Sequence, residues 1–153
     1  MVKLFAVIVG MSFFLTACQF PGAARVRDTV HGEARQFLMG PLAGSAGSNA
    51  NGVAQALVFS DGFYRLSLQL NIESAPAGFL YEAWLVRSSD GSRTSLGELR
   101  NTSEAAVRHS LTHESTEDLA GYSLIEITLE PADGNPESAK PVASGTLEVR
   151  PLP

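Results

Sequence analysis

The side chains most able to do chemistry here are one cysteine, three histidines, and two acids beside a loop rich in proline. His109 and His113 are four apart, a spacing that on a helix offers two imidazoles to one metal ion. Val107, His109, Leu111 and His113 instead alternate as on a strand, which sets the imidazoles roughly 13 Å apart, too far to share an ion. Cys18 stands alone, so no internal disulfide forms, and once it is modified no thiolate remains for a zinc or blue-copper site. No metal and no cofactor are expected. Serines, histidines and acids are all present, but no Gly-x-Ser-x-Gly elbow organises them. Gly44 to Gly52 lacks the lysine and the following helix of a phosphate loop. The expectation is therefore not an enzyme. Glu130 ends an apolar stretch just before Pro131, where a carboxylate can accept N–H bonds from its own loop and brace it. A ligand or cation site shared with Asp133 is the alternative. Tyr81 and Trp84 lie in one strand-like run and point to opposite faces. Core packing is the favoured reading of both, and an exposed anchor for a partner is the other.

The N-terminus explains the cysteine. Lys3 precedes an apolar run, Leu4 to Phe14, closed by Leu15-Thr16-Ala17-Cys18. The run is shorter than the roughly 20 apolar residues a membrane-spanning helix needs, and it has the three zones of a secretion signal. The closing tetrapeptide resembles the lipobox of bacterial lipoproteins, in which the cysteine sulfur takes a diacylglyceryl group and becomes the new N-terminus. Residues 1–17 are thus expected to be signal and Cys18 the lipidated residue. Its acyl chains would hold the protein in the membrane, at about 0.8 kcal/mol per buried methylene. Gln19, in place of the Asp that marks inner-membrane retention, leans towards the outer membrane if the cell is Gram-negative.

These groups must be positioned by strands. The chain is 44% hydrophobic with a net charge of −5, and no Lys/Arg cluster offers a surface for nucleic acid. Residues 18–30 read as a tether, 31–39 as a first strand, and Gly40 to Gly52 as a flexible loop. From Phe63 to Glu73, Leu66, Leu68, Leu70 and Ile72 alternate with Arg65, Ser67, Gln69 and Asn71, a half-buried strand. Phe79 to Arg87 is the most aromatic strand and the expected centre of the core. Shorter strands follow at 94–99 and 107–112, then a polar connection at 114–119 that suits a single helical turn. Tyr122 to Glu130 is a β-branched strand stopped by Pro131, and Val142 to Val149 is the last. No segment keeps a 3.6-residue period. The expectation is an all-β domain over 31–153, an antiparallel sandwich of about 7–8 strands with immunoglobulin-like architecture.

Three stretches, Tyr81 to Val86, Leu96 to Leu99 and Ile127 to Gly134 with Pro136 and Pro141 to Gly145 after it, resemble the extracytoplasmic C-terminal domain of the anti-sigma-K factor (RskA) family. Order and spacing agree from about residue 50 to 149. Asp133 stands where that family usually has glycine. Regulatory members carry a cytoplasmic sigma-binding domain and a spanning helix before this domain, and this sequence shows neither. The resemblance implies the fold and an extracytoplasmic place, not the sequestration of a sigma factor. Together these readings give a membrane-anchored lipoprotein of the cell envelope. Its β-domain would bind a protein partner there without chemistry of its own, as an accessory in envelope signalling. The alternative is a small-ligand carrier or enzyme with its site on the end loops, at Gly40–Gly52 and Pro131–Pro141.

Overall fold

A computed structural model describes residues 25–45, 47–102, 107–119, 121–134 and 139–153. The expected signal, Cys18 and the first part of the tether lie outside these residues. The described residues form strands and no helix. Eleven strands are formed: β1 (Arg27–Asp28), β2 (Gly32–Gly44), β3 (Asn51–Phe59), β4 (Tyr64–Asn71), β5 (Phe79–Arg87), β6 (Arg93–Glu98), β7 (Arg100–Asn101), β8 (Arg108–Ser115), β9 (Tyr122–Pro131), β10 (Pro141–Thr146) and β11 (Glu148–Arg150). All pair antiparallel.

The all-β expectation holds, but the sandwich of 7–8 strands does not. The strands follow one hydrogen-bonded path, β6-β5-β9-β10-β2-β3-β4-β8-β7, that curls until its ends nearly meet. Two strands that change partners cause this. Strand β6 pairs with β5, and after Leu99 the same segment, as β7, pairs with β8. The Leu99 N–H donates to the Tyr81 carbonyl (2.9 Å) at this corner, and the Leu99 side chain is buried. The expected last strand likewise breaks at Leu147 into β10, shared between β9 and β2, and β11, which pairs only with β2. The long β2 carries the sheet from one side of the barrel to the other.

Glycines permit that crossing. The stretch 40–52 is not a flexible loop: β2 runs to Gly44, β3 starts at Asn51, and the connection is only 45–50. A Cβ on Gly40 would fall 1.9 Å from the Thr146 carbonyl oxygen, and one on Gly145 2.0 Å from that of Pro41. Here glycine is used for close backbone approach, not for freedom. The expected helical turn at 114–119 is absent, because β8 continues to Ser115.

The period-two reading of the core is accurate. Leu66, Leu68 and Leu70 of β4 meet Ala83 and Leu85 of β5 and Ile125 and Ile127 of β9, all essentially inaccessible. Each such large aliphatic side chain contributes about 1.5–3 kcal/mol. Ala54 and Ala56 of β3 and Ala143 of β10 are fully buried small residues that let the curled sheet close on itself.

A second, smaller cluster of Ala34, Phe59 and Phe63 lies under the N-terminal strand. Residues 27–28, assigned above to the tether, pair with β2 as β1. The Asp28 carboxylate accepts the Val30 and His31 N–H groups (2.8 and 3.1 Å) with one oxygen and Arg65 (3.1 Å) with the other. Arg65 also donates to Glu114 (2.6 Å) and lies over the Phe59 and Phe63 rings. The His31 ring stacks on Phe63, with centroids 3.5 Å apart, and its Nδ1 is 2.8 Å from Asp61.

Gly145→Ala should destabilise the fold by about 2–3 kcal/mol, the cost of overpacking where backbone cannot move aside. A urea titration of the variant against the parent measures this, and an unchanged midpoint would mean the crossing has slack.

Candidate functional site

The four residues singled out on β5 and around the end of β9 do not converge. Tyr81 and Trp84 take opposite faces of β5, as their spacing requires, and both are buried. Tyr81 belongs to the main core. Trp84 lies on the other face, donating its indole N–H to the Thr128 hydroxyl (2.8 Å) and carrying Arg93 over its ring. Arg93 also pairs with Glu126. This face is a closed packing unit.

Glu130 is 2% exposed, and one carboxylate oxygen accepts the Ala139 N–H (3.2 Å). It thus ties the far side of the 132–140 connection to the end of β9, which is the bracing reading. The other oxygen is buried without a hydrogen-bond partner. Asp133 is exposed in the turn. Among the described residues no three His, Cys, Asp or Glu side chains gather as metal ligands.

What the fold does assemble is a groove at one end of the barrel, centred on Tyr81. On one side a cleft of about 420 Å³ is walled by Ser48, Asn49, Asn51, Asn71 and Glu73. On the other a cleft of about 360 Å³ is lined by Ser74, Phe79, Arg100, Asn101 and His109, with Tyr81 common to both. Neighbouring strands β3 and β4 place Asn51 opposite Asn71, whose side chains bond at 3.1 Å. The 45–50 connection, the part of Gly40–Gly52 that is a loop, supplies the outer wall. The described residues of the Pro131–Pro141 loop line neither cleft.

His109 packs edge-on against Tyr81 (5.3 Å, 84°) and is buried, its Nδ1 without a partner. Burial pushes its pKa below the ordinary value, against a smaller pull from the Val107 backbone. Burial raises the Tyr81 phenol, with the charge of Glu73 acting in the same direction. Both groups are therefore neutral near pH 7. The phenol is held as a hydrogen-bond donor rather than a base, and the walls add amides and hydroxyls. Such a groove suits holding a ligand or a partner's side chain.

The family described as anti-sigma-K factor rskA, C-terminal, matches residues 4–147. The chain belongs to this family. The match starts inside the N-terminal apolar run, well before residue 50, ends at 147, and takes in every strand except β11. Neither a curated protein nor a solved structure matches the chain. Within this anti-sigma-K factor C-terminal domain, the residues of the groove that the sequence singled out are Tyr81 and the Gly40–Gly52 stretch, of which 45–50 is the loop. Sequence reasoning missed Asn71, Glu73 and His109 as their neighbours, because strand pairing alone joins them. It also missed the cluster of Asp28, His31, Asp61, Arg65 and Glu114, whose members are up to 86 positions apart.

Stability should fall in two stages as the medium is acidified. His109 is harder to protonate when folded, so the unfolded chain binds the extra proton and stability declines below pH 6.5, the ordinary value. Asp28 is held down to about 2 by the Val30 and His31 N–H groups and by Arg65. Its contribution is present above 3.8 and lost as pH drops towards 2. Urea midpoints measured across pH should flatten in the upper window for His109→Leu and in the lower for Asp28→Asn. A parent-like slope in either variant would reassign that stage.

Proposed function

We propose that the protein is a lipid-anchored, extracytoplasmic lipoprotein whose anti-sigma-factor-related β-domain binds a protein partner in the cell envelope and catalyses nothing. Family membership across residues 4–147 is the observation that carries this reading. It relates the domain to regulators that act by contact with other proteins. The Leu15-Thr16-Ala17-Cys18 sequence supports the anchor. From Cys18 the chain needs to span at most about 30 Å to reach β1 at Arg27, so the barrel would work close to the membrane surface. The absence of Asp at position 19 favours the outer membrane in a Gram-negative cell.

The polar groove on Tyr81 supports this reading and also a second one, carriage of a small polar ligand. A cleft of about 420 Å³ falls within the size range of small-molecule sites. The two separate by what Tyr81 holds.

Cys18→Ser should move the protein from the membrane pellet to the soluble fraction and abolish incorporation of labelled palmitate. Sedimentation with membranes in the variant would point to another anchor. Tyr81→Ala should weaken cross-linking to the partner in intact cells by about tenfold, equivalent to about 1.4 kcal/mol. Unchanged cross-linking together with loss of a co-purifying small molecule would favour the carrier.

A further inference from the structure

The nearly closed barrel leaves a seam between β6 and β8. Antiparallel ladders alternate, so along a strand successive residues turn their N–H and C=O groups to opposite edges. On β8, the Val107 carbonyl accepts from Ile72, next to β4, and the Arg108 carbonyl accepts from Thr102, next to β7. Even-numbered residues therefore face away from β4. Strand β7 covers that edge at Ser110 and ends there. Thr112 and Glu114 come next on the same edge, and no described strand pairs with them there. On the opposite wall, the Ser92 carbonyl accepts from Arg87, so Ser95 turns its backbone towards the seam. No ladder joins β6 to β8. A side-chain bond stitches the two walls, His113 Nδ1 to the Leu96 carbonyl (3.2 Å). Between them lies a cleft of about 510 Å³ lined by Gly97, Glu98, Arg100 and Thr112, with Leu111 towards the interior.

We propose that this seam takes up an extended peptide segment of a protein partner, added as a strand along β8. The inference rests on the partner-binding reading above and names the chemistry of that contact. An unpaired strand edge is a template for another chain, and strand addition draws its affinity from main-chain bonds and its selectivity from alternate side chains. Both walls belong to the same barrel, and the slot pinches shut at Leu99 where β6 runs into β7. A single free strand is the occupant such a slot can take once the His113 to Leu96 bond opens and the walls part to about two strand spacings, whereas the edge of a second folded barrel is too broad for it. Alternation sets the preferred sequence. Residues facing inward meet Leu96 and Leu111 and are apolar, and those facing outward continue the row of Ser110 and Thr112 and are polar.

The probe is a short synthetic peptide alternating valine and threonine, added to the full chain in detergent, with amide exchange followed by NMR. Exchange at Thr112 and Glu114 should slow about tenfold or more with the peptide bound. The same peptide with alternate amides N-methylated should give no protection. Thr112→Pro removes a seam-facing N–H and spares the ladder to β4, so it should abolish peptide binding. The N-methylated comparison decides the question even if that variant folds poorly. Protection that is absent, that survives N-methylation, or that grows with protein concentration without peptide, as for a second copy, would overturn the proposal. Cross-linking in cells that finds no neighbour, alongside positive peptide data, would count against the partner-binding function and not against the seam.

Discussion

The structure depends on one constraint: a single antiparallel sheet must curl nearly into a closed barrel while keeping its backbone groups paired. Closure is achieved where strands change partners. At Leu99 one segment passes from the edge of β5 to the edge of β8. At the crossing of β2 with β10 the backbones approach so closely that only hydrogen atoms fit between them, which fixes Gly40 and Gly145. The buried alanines of β3 and β10 belong to the same solution, since larger side chains there would prop the wall open.

Closure also decides where surface chemistry can occur. One end of the barrel is pinned by the N-terminal strand, through Asp28 and its bonds to two backbone amides and Arg65. There a carboxylate, a guanidinium and two stacked rings hold the chain as it arrives from the tether. Tyr81 and His109 meet in the groove as neutral polar groups, between walls that also carry Glu73 and Arg100. The bracing of the last long connection by Glu130 keeps β9 and β10 in register near Pro141. Groove and seam are therefore neighbouring places that share Glu98 and Arg100, while the pinned N-terminal end is built from other residues.

The four residues drawn from the sequence as candidates illustrate how a strand divides roles. Tyr81 and Trp84 are three apart, so the pleat sends them to opposite faces. The inner one becomes the floor of a groove, and the outer one is sealed by Thr128 and Arg93. Glu130 acts on its own loop, as a carboxylate at a strand end is placed to do. Asp133 remains in the turn, on the solvent side.

By itself the sequence determined what is local and periodic. Alternation from Leu66 to Leu70 and from Tyr81 to Leu85 set the strands and their buried faces, because side-chain direction along a strand has period two whatever the strand pairs with. The family's short motifs were legible for the same reason. Only the tertiary structure decided strand count, partner order and closure. Those follow from which edges meet across tens of residues, and glycine at a close crossing looks in sequence like glycine in a loop. The groove on Tyr81, the cluster around Arg65 and the open edge of β8 were illegible for that reason: each is made by hydrogen-bonded register between distant strands, which residue types alone do not encode.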